Sequence, residues 1–135
     1  MESTLEFLTS KHATLINDYK TPDGRFNEGC GTIAKRVARR LLIEGKTPYI
    51  IEIQGRIKDI GGNRERLTPI PYSGRISWGC HLVCCADGVA YNPMLGEPLP
   101  IEQYCQRAFE EDVDIFNCVS ESRIEEYIEL GSHPL

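Results

Sequence analysis

Long apolar runs are missing from this sequence. No stretch approaches the roughly 20 apolar residues needed to span a bilayer, which excludes a membrane-spanning helix as an expectation. The opening residues, MESTLEFLTSKH, have neither the basic start nor the apolar run of a secretory signal. The expectation is a protein that is cytoplasmic where it is made, and delivery to another cell by a non-classical route stays compatible with that. Internal repeats, low-complexity tracts and linkers are also missing. At 135 residues the chain is long enough for one domain and too short for two ordinary ones, so residues 1–135 are read as a single domain. Basic residues are in deficit, 15 Lys and Arg against 20 Asp and Glu, giving a net charge of −5. That balance argues against nucleic acid or an anionic membrane surface as a partner.

Histidine is scarce and cysteine is not. Six cysteines stand at 30, 80, 84, 85, 105 and 118. Without an export signal, free thiols are expected rather than a disulfide framework. Most of them sit among apolar residues, where a free thiol behaves as a small buried hydrophobe. Cys30 differs. It lies between Gly29 and Gly31 in a polar segment, immediately before a helix.

The helix is legible in its spacing. Ile33, Ala34, Val37, Ala38, Leu41 and Leu42 share one face over residues 31–44, and Gly45 suits its C-terminal end. Lys35, Arg36, Arg39 and Arg40 take the opposite face, a solvated stripe that could also dock an acidic protein partner. An earlier helix is read over residues 3–18, capped by Ser3 or Thr4. Residues 20–31 and 58–74 read as loops, the latter including ragged hairpin. Strands are expected at residues 49–53, extending to as far as 57, and at 76–86, 89–92 and 113–119. Short helices are expected at 100–109, with Pro100 in the first turn, and at 122–130. Helices first and an antiparallel meander after them make an α+β domain.

A thiol at a helix start meets unpaired N–H groups and the positive end of the helix dipole, both of which favour the reactive thiolate. The same N–H groups can hold a developing oxyanion. Gly29 and Gly31 leave room for a substrate carbonyl. A nucleophilic cysteine needs a base, usually histidine. His12 falls on the apolar face of the first helix and reads as a packed or rim residue; His133 sits in the tail SHPL. His81 lies in a strand, WGCHLVCCADG.

Hairpin register selects the third group. Asp87-Gly88 is a two-residue turn signal, so Ala86 pairs with Val89, Cys85 with Ala90 and Cys84 with Tyr91. Residues 81, 83 and 85 then share a face with 90, 92 and 94. His81 and Asn92 become diagonal neighbours with Cα atoms about 7–8 Å apart. An Asn there can fix the ring and select its tautomer. Asp87 is excluded as that partner because it lies roughly 20 Å along the strand from His81. The cluster Cys80, His81, Cys84 and Cys85 raises zinc, but strand alternation points these residues to opposite faces, so no metal and no cofactor is expected. Trp78, three residues before His81, is a candidate wall of a substrate cleft.

Cys on a helix, then His and a polar residue on successive antiparallel strands, resembles the papain-like fold in minimal form. The stretch HLVCCADGVAYNPMLG resembles the His-strand, turn and Tyr-(Asp/Asn)-Pro segment of small bacterial papain-fold toxin domains, with transglutaminase-like relatives. The resemblance covers about residues 26–100. It implies Cys30 as nucleophile, His81 as base and Asn92 as orienting residue of a cysteine peptidase, deamidase or acyltransferase. It also implies a protein or peptide substrate and an immunity-type partner. Papain-like enzymes place a Gln ahead of the nucleophile for the oxyanion; here the nearest upstream amide is Asn27. The alternative reading is a catalytically inactive papain-fold binding module.

Overall fold

The computed structural model describes residues 2–19, 29–72 and 76–130. Helix α1 spans Thr4–Tyr19 and α2 spans Cys30–Ile43. Strand β1 follows at Tyr49–Gly55, then β2 at Cys80–Ala86, β3 at Val89–Tyr91 and β4 at Leu99–Pro100. Helix α3 covers Ile101–Ala108, β5 covers Val113–Val119 and α4 covers Ile124–Leu130. The strands form one open antiparallel sheet in the order β4-β3-β2-β1-β5, so the architecture is α+β. Among the described residues no helix is long and apolar enough to cross a membrane.

Local chemistry sets the helix ends. Ser3 and Glu6 form a reciprocal capping box at the start of α1 (Glu6 N to Ser3 Oγ, 3.1 Å; Ser3 N to Glu6 Oε1, 3.2 Å). Glu44, just past α2, also accepts from the Thr4 backbone and hydroxyl at 2.8 and 2.7 Å, tying the two helices together. Helix α2 buries Ile33, Ala34, Val37, Ala38 and Leu41, as its spacing predicts. Truncating Leu41, which is fully buried, to Ala would cost about 2–5 kcal/mol.

The central part of the sheet carries a core on each face, while most of β5 is exposed. Leu82, Cys84 and Ala86 of β2 join Ile50 against α1, α2 and α4. Val83, Cys85 and Ala90 join Ile51 and Ile53 against α3 and the loop residues Leu67 and Tyr72. The expected hairpin register is the one observed: Cys84 with Tyr91, Cys85 with Ala90 and Ala86 with Val89. Asp87 and Gly88 turn it with φ of 52° and 77°, the positive pair that a type I′ turn needs.

Some boundaries move. Strand β2 begins at Cys80 rather than 76, and Trp78 instead makes an isolated bridge to Leu67. Pro100 is the N-cap of α3 and closes the two-residue strand β4, so the helix starts one residue later than expected. The end of the chain opens with a 3-10 turn, Glu121–Arg123, before α4.

The length of β3 matters most for function. This strand is only three residues long and pairs with Cys84–Ala86 alone. The first four residues of β2 therefore have β1 on one side and no strand on the other among the described residues.

Candidate active site

At that gap lies a cavity of about 710 Å³. Cys30, His81 and Asn92 all line it, together with Gly29 and Trp78. Helix α2 brings Cys30 to the rim from one face of the sheet. Strand β2 brings His81 from the other, since residues 81, 83 and 85 point away from α2. Leu15, Ile33, Tyr72, Ile76 and Met94 complete mostly apolar walls.

Cys30 is the first residue of α2, with Gly29 as an extended N-cap (φ −77°, ψ 165°). Gly29 supplies no capping side chain, so among the described residues the first N–H groups of the helix have no side-chain cap beside the thiol. A Cβ on Gly29 would meet nothing within 4 Å, so openness there comes from the backbone path as well as from the missing side chain. Gly31 is placed differently from its expected role. It does not line the cavity; it faces the sheet and α4, where a Cβ would make ordinary contact with Leu82 at 3.6 Å and the Tyr127 hydroxyl at 4.0 Å. Asn27 lies outside the described residues.

His81 and Asn92 are both buried, each 4% exposed, and a residue that the sequence pattern did not single out links them. The Tyr104 hydroxyl lies 3.1 Å from His81 Nε2 and 3.0 Å from Asn92 Oδ1. Proton positions follow from one fixed donor. The Met94 backbone N–H donates to Asn92 Oδ1 at 3.0 Å, which identifies that atom as the amide oxygen. Tyr104 must then donate to Oδ1 as well. Its burial holds the hydroxyl well above its ordinary pKa, so it keeps its proton. With that proton spent, the Tyr104 oxygen accepts from His81 Nε2–H. His81 is therefore the Nε2–H tautomer, and Nδ1 carries a bare lone pair. Nδ1 is buried and has no hydrogen-bond partner among the described residues, Cys30 included.

Aromatic rings seal this imidazole. Trp78 stacks on it at 4.9 Å between centroids and 15° between planes, and Phe109 meets it edge-on at 5.7 Å. Burial pushes the His81 pKa down to about 4, with the Asn92 side chain acting the other way. The ring is thus neutral near pH 7, with the Nδ1 lone pair unoccupied, and a charge developing beside it is needed before it takes a proton. Asn92 itself is held by the turn that follows it. His12 donates Nδ1–H to the Pro93 and Met94 carbonyls at 3.0 and 3.1 Å, and Gly96, at φ +79°, leaves the space the His12 ring occupies. His12 is accordingly a packed residue that braces the site from α1.

The other thiols are set apart. Cys84, Cys85 and Cys105 are buried, and burial pushes their pKa values up, to about 12 for Cys85 and about 11 for Cys105. Cys80 and Cys118 are exposed but also raised, by partial burial and by the Glu52 carboxylate. The Cys80, His81, Cys84, Cys85 cluster divides between the two sheet faces: Cys84 packs with the helices α1, α2 and α4, Cys85 with α3. Among the described residues no three His, Cys, Asp or Glu side chains converge as a metal would need.

Tyr104 could have been suspected from sequence, because it lies on the apolar face of a short helix with Cys105 and Ala108, and a buried tyrosine hydroxyl requires a partner. No family model, curated protein or solved structure matches this chain.

Proposed function

We propose that the chain is a papain-like thiol enzyme acting on an amide or acyl bond. Cys30 is its nucleophile, His81 its base and Asn92, acting through Tyr104, the residue that orients His81. The observation that carries this reading is the bare Nδ1 of His81, held by a fixed hydrogen-bond chain in the wall of the cavity that Cys30 also lines.

The chemistry follows from those atoms. Cys30 Sγ attacks the carbonyl carbon while its proton passes to His81 Nδ1. The carbonyl oxygen becomes an oxyanion, which the uncapped N–H groups at the start of α2 are able to hold. Thiolate and imidazolium form together, and in a low-dielectric wall each stabilises the other more than either is stabilised alone. The C–N bond then breaks, and the departing amine takes the proton from Nδ1. A thioester on Cys30 remains. Water attacking it gives hydrolysis or deamidation, and an amine gives acyl transfer, so the same site serves all three. Trp78 acts as a wall that keeps water from the His81 ring.

The competing reading is a non-catalytic papain-fold binding module. It is favoured by the lack of a hydrogen bond between Cys30 and His81 and by mostly apolar cavity walls. Catalytic hydrogen bonds often tighten only when substrate is bound, which is why the enzyme reading is preferred.

Iodoacetamide separates the two. Near neutral pH it should label Cys30 at least ten times faster than exposed Cys80 or Cys118, and His81→Ala should remove most of that advantage. Equal labelling of the three accessible thiols in the wild-type protein would leave only the binding module.

A further inference from the structure

Among the described residues that line the cavity, one carries a fixed positive charge. Arg66, in the loop between β1 and β2, borders the same space as Cys30 and His81. Its Nε donates to Ser77 Oγ at 2.8 Å and its Nη2 donates to the Ser77 carbonyl at 3.0 Å. Two bonds to one residue set the plane of the guanidinium. They leave both N–H groups of Nη1 and the second N–H of Nη2 uncommitted, and this pair of nitrogens is the edge that grips a carboxylate with two parallel bonds.

Its pairing state differs from that of five other described arginines. Arg40, Arg56, Arg64, Arg107 and Arg123 each pair with a carboxylate, whereas none pairs with Arg66 among the described residues. Ser77 thus orients Arg66 without neutralising it. The positive end of α2 opens on the same cavity, and His81, whose Nδ1 is unpartnered and buried, lines it too. A protein with a net charge of −5 repels anions on average, so a positive edge here acts locally against the overall field. Around it the walls are large and apolar: Tyr72, Ile76, Trp78 and Met94.

We propose that Arg66 is a specificity residue of the thiol site, selecting acyl donors that present a carboxylate beside a large apolar group. This rests on the Cys30–His81 reading and adds the class of substrate to it. The carboxylate pairs with the free edge of Arg66 while the apolar group lies on the Trp78 and Tyr72 side, which places the scissile carbonyl toward Cys30. Such a carboxylate comes either from a chain end or from an acidic side chain.

Matched alkylating probes test this whichever acyl reaction the site performs. N-iodoacetyl-phenylalanine and its carboxamide differ only in a chain-end carboxylate. The α-amides of N-iodoacetyl-glutamate and N-iodoacetyl-glutamine differ only in a side-chain one. Rates at Cys30 and at exposed Cys118, the internal reference, are read by mass spectrometry of the full chain. For at least one pair the acid-to-amide rate ratio should be roughly tenfold higher at Cys30 than at Cys118. The pair with the larger ratio assigns the carboxylate to a chain end or a side chain. In Arg66→Gln the ratio should fall to the Cys118 value, and in Arg66→Lys, which keeps charge but loses the fork, it should be partly retained. Arg66 is exposed, so neither change disturbs the core. Equal ratios at the two thiols in the wild-type protein, or an unchanged ratio in Arg66→Gln, would overturn the assignment. Failure of the underlying enzyme reading shows separately, as neutral probes reacting no faster at Cys30 than at Cys118.

Discussion

The two ends of β2 each carry cysteine, and they meet opposite fates. At the far end, Cys84 and Cys85 have a strand on each side, β1 and β3, and neither is exposed at all. Their thiols are pushed up by burial and serve as packing. At the near end, from Cys80 to Val83, β3 is already over and the sheet is open on one side. There His81 is buried between exposed Cys80 and half-buried Leu82, yet it borders a cavity and keeps an unpaired lone pair. Reactivity in this strand is therefore decided by where the partner strand stops. Asn92-Pro93 stops it, because proline cannot donate to a ladder and Asn92 spends its side chain on the Met94 N–H and on Tyr104.

The contrast is sharpest in the response to acid. An unfolded His81 titrates near 6.5 and the folded one near 4, so between these values the unfolded chain holds the extra proton. Stability from this group is fully present above about pH 6.5 and is lost as pH falls toward 4, by about 3 kcal/mol in total. Urea unfolding at pH 7 and pH 4.5 should show the fall, and His81→Phe should flatten this component while substitutions at Cys84 leave it in place. A smaller effect, about 2 kcal/mol, is expected for Tyr104→Phe, which strips the hydroxyl from between two buried polar groups. The same variant should slow labelling of Cys30, since the His81 tautomer is no longer imposed. The smallest change belongs to the packed end. Cys85→Ala should cost about 1 kcal/mol in unfolding and leave the labelling rate of Cys30 unaltered. A loss of Cys30 reactivity in Cys85→Ala would erase the distinction between the two ends.

Much of this arrangement is written in short-range pattern. The apolar spacing of Ile33, Val37 and Leu41 gives α2, and with Gly29 it puts Cys30 at the helix start. Asp87-Gly88 sets the register that brings His81 and Asn92 to one face. The Asn92 side chain acts on His81 as the register implies, and α3 crosses that face and adds the Tyr104 hydroxyl between them. Which helix covers which face is a tertiary matter that alternation within the hairpin does not encode. The position of Gly31 has the same origin: it faces Leu82 and Tyr127, residues 51 and 96 positions away along the chain, rather than the cavity. Arg66 had no local signature, since a lone arginine in a loop gains meaning only from the cavity it borders.

Nitrogen-15 NMR of the His81 ring reads directly whether Nδ1 is free to take a proton. At pH 7 the ring should be neutral, with the proton on Nε2 and none on Nδ1, unchanged down to about pH 5 because burial holds the pKa near 4. A ring protonated on Nδ1 at pH 7 would contradict it, since that nitrogen could then not accept the proton of Cys30.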